Sequence, residues 1–185
     1  MSAISKYFKM YEIGKSSIAE RQGINNSPPQ WVIDNATELA THVLDPIREK
    51  FGALSPQSWY RGAELEKFIT WDSGFRRWCA KHNKPWLKRE NLHKIPLQHH
   101  GVDNSWGEYF QRKSHQRGEA ADIEIVGVSN DELYFWIRDN LSYDQLIREF
   151  PKPNDPKSGW VHVSWRGVQA NRQSYFSIPW YDKYA

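Results

Sequence analysis

A chain of 185 residues, 39% hydrophobic and 25% charged, is long enough for one domain to bury a core without disulfide support. Its single cysteine, Cys79, excludes an internal disulfide framework, and no apolar run approaches the ~20 residues of a membrane-spanning helix. The formal net charge of +3 suits approach to anionic surfaces, but the basic clusters at 84–89 and 112–113 stand in no helix-turn-helix, RNP-like or zinc-finger pattern, so no nucleic-acid partner is expected.

Met1 to Lys6 carry neither an apolar h-region nor a small-residue cleavage signal, which points to cytosolic synthesis without a signal peptide. Ser17 and Glu20 are spaced as a capping box for a short helix that Gly23 ends, and 25–29 is a turn-rich connection. From Trp31 through Val32, Ala36, Leu39, Ala40, Val43 and Leu44 to Ile47, apolar residues recur at three- and four-residue steps. This is a scaffold helix with Pro46 as a kink or restart and Gly52 as a stop. Trp59 and Tyr60 suggest a short strand delivering Arg61, and 63–70 is helical again. Cys79, among Phe75, Trp78 and Ala80, reads as a buried thiol on a helix.

The span 70–111 is rich in aromatic and basic residues and carries His82, His93, His99 and His100. No Cys-x-x-Cys or carboxylate spacing completes a metal set there, whereas substrate recognition or assembly needs only exposed aromatics and charge. Of the ten tryptophans, Trp106 and Trp180, near Gly and Pro, are candidates for stacking on sugars or anchoring an interface.

Chemistry concentrates in two later elements. In 120–125 the alternation turns Asp122 and Glu124 away from Ile123 and Ile125, as in a half-buried strand. In 160–165 Val161, Val163 and Trp165 share one face, while Trp160, His162 and Ser164 share the other. Gly118 permits the turn that returns His115 toward Asp122. Two imidazoles and one carboxylate on polar faces match catalytic zinc, which takes three protein ligands and keeps a position for water. Between them lie a second capping box at Ser129 and Glu132, a helical face of Leu133, Tyr134, Ile137 and Leu141, a strand at 144–149 and a loop at 150–159, and the tail 179–185 is peripheral.

The pattern His-x-x-Gly-x-Ala-x-Asp, at His115, Gly118, Ala120 and Asp122, with Trp-x-His at Trp160 and His162, resembles the zinc D-Ala-D-Ala peptidase family of VanX-type dipeptidases, penicillin-insensitive carboxypeptidases and phage L-alanyl-D-glutamate endopeptidases. Val43 to Arg48, Ser58 to Gly62 and Asp144 to Glu149 resemble further stretches of its phage subgroup, while 70–111 departs from it as an insertion. The resemblance implies one zinc peptidase-like domain over 1–185 with an α+β, D,D-peptidase or hedgehog-like fold. A small antiparallel sheet would carry helices on one face and the zinc cleft on the other. It also implies Zn2+ on His115, Asp122 and His162, and cleavage of bacterial peptidoglycan stem peptides as an endopeptidase or D,D-carboxypeptidase. Such a protein reaches the cell wall by holin-type release from the host cytoplasm or as a virion component. The other reading is a virion tail or baseplate protein whose domain docks to neighbouring proteins.

The family often places its general base shortly before the last ligand, but Gly159 and Lys157 occupy those positions here. Glu149 is the candidate base, with Asp155 behind it; the alternative is a surface carboxylate paired with Arg148 or Arg166. Arg61 matches an arginine of the family, which implies a cation near the substrate carbonyl or carboxylate, with an ordinary salt bridge as the alternative. Ser114 and Trp160 are candidate substrate contacts. Glu119 and Glu124 border the motif and are expected to face solvent or a helix N-terminus.

Overall fold

The computed structural model describes residues 2–89 and 102–179. α1 (Met10–Ile13) and α2 (Ser17–Gln22) open the chain. Ser16, rather than Ser17, caps α2: its Oγ accepts the Ala19 N–H at 3.3 Å, and Gly23 closes the helix at φ +64°. α3 (Gln30–Leu39) passes through a π-helical turn at Ala40–Leu44 into α4 (Asp45–Phe51). Pro46 stands in the first turn of α4, where a helix tolerates its missing N–H, so it acts as a restart. The stripe from Val32 to Ile47 is buried, although Trp31 at its start is 49% exposed.

α5 (Ala63–Thr70) continues through a second π turn, Trp71–Phe75, into α6 (Arg76–Lys81). Trp71, Phe75 and Cys79 recur every four residues and form a buried stripe that meets Tyr109 of α7 (Val102–Gln111). The aromatic-rich span thus has a small core of its own, in which Trp106 packs on Trp71, Phe75 and Tyr109. Cys79 is buried on its helix as expected, and burial pushes its thiol up to about 11. His93, His99, His100 and Trp180 lie outside the described residues.

The second half supplies a four-stranded sheet: β1 (Ala120–Ile123), β2 (Gln145–Glu149), β3 (Trp160–Ser164) and β4 (Ser174–Ile178), in the order β1-β3-β2-β4. α8 (Asn130–Asn140) lies between β1 and β2 in sequence, capped by Ser129 Oγ, which accepts the Glu132 N–H at 3.1 Å. The class is α+β, but the sheet is mixed. β1, β3 and β2 pair antiparallel, whereas β4 adds parallel to β2. β3 ends beside the start of β2, and the chain returns to that same end, where Asp144 accepts Arg172 Nε at 2.7 Å and Nη2 at 2.6 Å.

Register sets the two faces. Ala121 pairs with Val163, Ile123 with Val161 and Leu146 with Val163, and all are buried in one core with α3, α4 and α8. On the opposite face Asp122 pairs with His162, which pairs in turn with Ile147, forming a row across three strands; Glu149 pairs with Trp160 beside it. Among the described residues no helix is long and apolar enough to cross a membrane.

Candidate metal centre

His115 opens a single 3-10 turn, His115–Arg117, and Gly118 at φ +72° redirects the chain into β1. A Cβ at Gly118 would lie 2.6 Å from the Val32 carbonyl oxygen, so this close turn requires glycine. Trp59 clamps both ends: its indole N–H donates to the Gly118 carbonyl at 3.2 Å, and its own carbonyl accepts His115 Nδ1–H at 2.7 Å. The strand expected at Trp59 and Tyr60 is realised as a single bridge between Ser58 and Asp122. Backbone bonds on both sides, Asp122 N–H to Ser58 O and Arg61 N–H to His115 O, bind that segment to the motif.

The result is a nearly equilateral triangle of donor atoms. His115 Nε2 lies 3.2 Å from Asp122 Oδ1, His162 Nδ1 lies 2.9 Å from the same oxygen, and the two imidazole nitrogens are 3.2 Å apart. All three residues are buried. A tetrahedral zinc with bonds of about 2.0 to 2.1 Å has ligand-to-ligand edges of about 3.3 to 3.4 Å, so the triangle needs to widen by only a few tenths of an ångström.

The Trp59 carbonyl can only accept, so His115 carries its proton on Nδ1 and offers a lone pair at Nε2. Burial holds the His115 ring below its ordinary pKa despite the neighbouring Asp122 charge, which keeps it neutral. Burial also works against the charge on Asp122, but its charged and hydrogen-bonding surroundings outweigh it and keep that carboxyl well below the usual range. A lone pair and a carboxylate oxygen therefore face each other at 3.2 Å. A cation between them turns that repulsion into coordination, and a two-His, one-carboxylate set suits zinc.

The cleft over this triangle has a volume of about 420 Å³ and is walled by Arg61, Ser114, Glu149 and Trp160 as well as the three candidate ligands. A larger cavity, about 800 Å³, lies among α1, α2 and the 24–28 turn and touches none of them. Arg61 is committed to Asp122: Nη2 donates to Oδ2 at 2.5 Å and Nε to Ser58 Oγ at 2.7 Å, which is the salt bridge the sequence left as an alternative. Glu149 pairs with neither Arg148 nor Arg166. Arg148 faces the core side and donates to Asp131 at 2.8 Å, while burial and the Asp122 charge raise the Glu149 carboxyl above its ordinary value.

Asp155 does not stand behind Glu149. It is exposed in the 152–158 turn, where its carboxylate accepts the Lys157 N–H at 3.1 Å. Glu119 pairs with Arg117, and Glu124 accepts from Asn130, the first residue of α8, and from Gln57. Among the described residues no second metal group occurs, and the His82 ring lies against Trp78.

Glu66 emerges only in the structure. It is buried in the cleft wall, 3.8 Å from both the Arg61 guanidinium and Lys113 Nζ, and its Oε2 has no hydrogen bond. Its position on the buried stripe of α5 with Leu65 and Thr70 is the signal available in the sequence, since a charge there needs partners. Comparison of the chain with protein-family models, curated proteins and solved structures gives no match.

Proposed function

We propose that the chain is a zinc-dependent peptidase of peptidoglycan stem peptides, of the D-Ala-D-Ala peptidase kind that its motifs resemble. The observation that carries this reading is the buried His115, Asp122 and His162 triangle opening into the same cleft as Glu149. Zinc held there supplies an activated water and polarises a peptide carbonyl.

The chain's own residues supply the rest. Glu149, two residues along β2 from Ile147, the residue paired with His162, takes the proton of the attacking water and delivers it to the leaving amine. Its raised carboxyl pKa brings it nearer to neutral pH, where a general base is most effective. Arg61 holds Asp122 in place through Oδ2, leaving Oδ1 toward the two imidazoles. Trp160, paired beside Glu149 with its indole N–H unpartnered, offers a face and a donor to a peptide backbone, and Ser114 lines the approach.

The docking reading draws on Tyr175 and Phe176, 56% and 40% exposed on edge strand β4. Metal content and peptide release from purified peptidoglycan decide between them. Near-stoichiometric zinc and new peptide ends, both lost in His115→Ala, are expected of the peptidase. Zinc without release from any peptidoglycan type favours docking, and a protein that binds no zinc overturns the metal-site reading.

A further inference from the structure

Among the described residues, two guanidinium groups on the rim of the metal cleft have no acidic partner. Arg77, on α6, and Arg112, just beyond α7, are exposed, both line the cleft, and among the described residues neither makes an ion pair. Nearby cations are engaged: Arg76 lies over Trp86, Lys84 pairs with Glu108, Arg89 with Asp72, and Lys113 faces Glu66 and the Tyr109 ring. A second observation falls in the same wall. Tyr109 is only 4% exposed, lines the cleft, and among the described residues its hydroxyl has no hydrogen-bond partner. An orphaned buried hydroxyl costs free energy unless something else accepts its proton.

We propose that Arg77, Arg112 and the Tyr109 hydroxyl form a subsite for a carboxylate carried by the bound peptide, an assignment that rests on the peptidase reading for the identity of that peptide. A planar guanidinium matches a carboxylate with two parallel hydrogen bonds, and a phenol adds a third donor. The rest of the cleft selects against a more highly charged anion, because Glu66, Asp122 and Glu149 line it too. Ile147, Phe150 and Trp160 give it apolar walls suited to the alkyl parts of a short peptide. The insertion that interrupts the family pattern thus acquires a role: its separate aromatic core holds α6 and α7 as a rigid mount for the cations that read the substrate's charge.

The test is calorimetric binding of two probes, N-acetyl-L-alanyl-D-glutamate and its diamide, to metal-free and zinc-loaded protein. Metal-free wild type is expected to prefer the acid at least tenfold, and zinc is expected to leave that preference in place. The Arg77→Ala/Arg112→Ala double variant is expected to fall below twofold with its zinc content unchanged, and Tyr109→Phe to lose several-fold. Equal binding of acid and diamide by wild type, no measurable binding of the acid, or a preference that survives the double variant overturns the subsite. Displacement of the acid by an equal concentration of inorganic phosphate makes it a general anion site and overturns the peptide assignment. Failure of the peptidase reading has its own signature: no peptide ends released while the acid preference persists.

Discussion

A Cβ built on Gly159 falls 1.9 Å from the carbonyl oxygen of Glu149. No side chain fits at Gly159, and its φ of +64° independently favours glycine. Of the two positions where the resembled family often carries its base, the one at Gly159 is therefore sterically closed to a side chain and the other holds Lys157, which leaves Glu149 on the neighbouring strand as the proposed base. Gly159→Ala is expected to lower stability by about 2 kcal/mol or more, from left-handed backbone strain and the clash together. Urea unfolding with an unchanged midpoint would show that the β2–β3 junction is looser than described.

Arg61 Nη2 holds Asp122 through Oδ2, on the side away from the imidazoles. If Arg61 works by fixing Asp122, Arg61→Ala weakens zinc binding by about 10- to 100-fold, the range for losing a group that orients a metal ligand. A role only at the substrate's oxyanion leaves zinc affinity unchanged and lowers turnover alone. Competition for zinc against a coloured chelator, run beside kcat at saturating metal, separates the two.

The candidate ligands were legible because strand alternation is local. Val161 and Val163 assign one face of β3 to the core, so His162 takes the other, and the same parity applies to Asp122 beside Ile123. β4 was not legible: Tyr175 and Phe176 are exposed, so its residues show no alternation against a core, and its place depends on Asp144 meeting Arg172 across 28 residues. The parallel edge strand, and with it the mixed sheet, follows from that tertiary contact. Arg61's engagement with Asp122 was hidden for the same reason, since 61 residues separate them. Asp155 failed for another: proximity in sequence to Glu149 says little when a tight turn between Lys152 and Ser158 carries it outward.

Glu149 carries a pH signature that can be read without substrate. Burial disfavours its charged form, with Asp122 adding to that effect, so its folded-state pKa is raised above the ordinary 4.5. The protonated form is the better tolerated one, and its contribution to stability is full below about pH 4.5 and is lost as pH rises through the raised value. Metal-free wild type should therefore lose stability relative to Glu149→Gln as pH increases from 4.5 toward neutrality. Urea unfolding in chelator across that window measures it; parallel curves for the two proteins would remove Glu149 from the buried cleft. With zinc present the same variant is expected to keep its metal and lose about 100- to 10,000-fold in turnover.

Asp144 and Arg172 give the opposite sign. Burial opposes the Asp144 charge, but the two side-chain hydrogen bonds and the backbone N–H of Arg172 outweigh it and hold the carboxyl below its ordinary 3.8. A depressed carboxylate contributes stability above the unfolded value and loses it as pH falls through the folded one, so the contribution of this pair is complete at neutral pH and disappears in strong acid. Arg172→Ala strands a carboxylate that is 2% exposed, but Arg172 is itself 52% exposed, so water screens part of the loss and about 1 to 2 kcal/mol is expected at pH 7. Asp144→Asn, which removes the buried charge, should cost less than Arg172→Ala at pH 7, because no unpaired anion remains. Because the pair seats β4 on β2 at the end away from Glu149, both variants should release the 174–178 amides to hydrogen exchange before the rest of the sheet while leaving zinc affinity intact. Exchange that quickens equally in β1 and β3 would mean that the sheet opens as one unit and that β4 is integral to the metal scaffold.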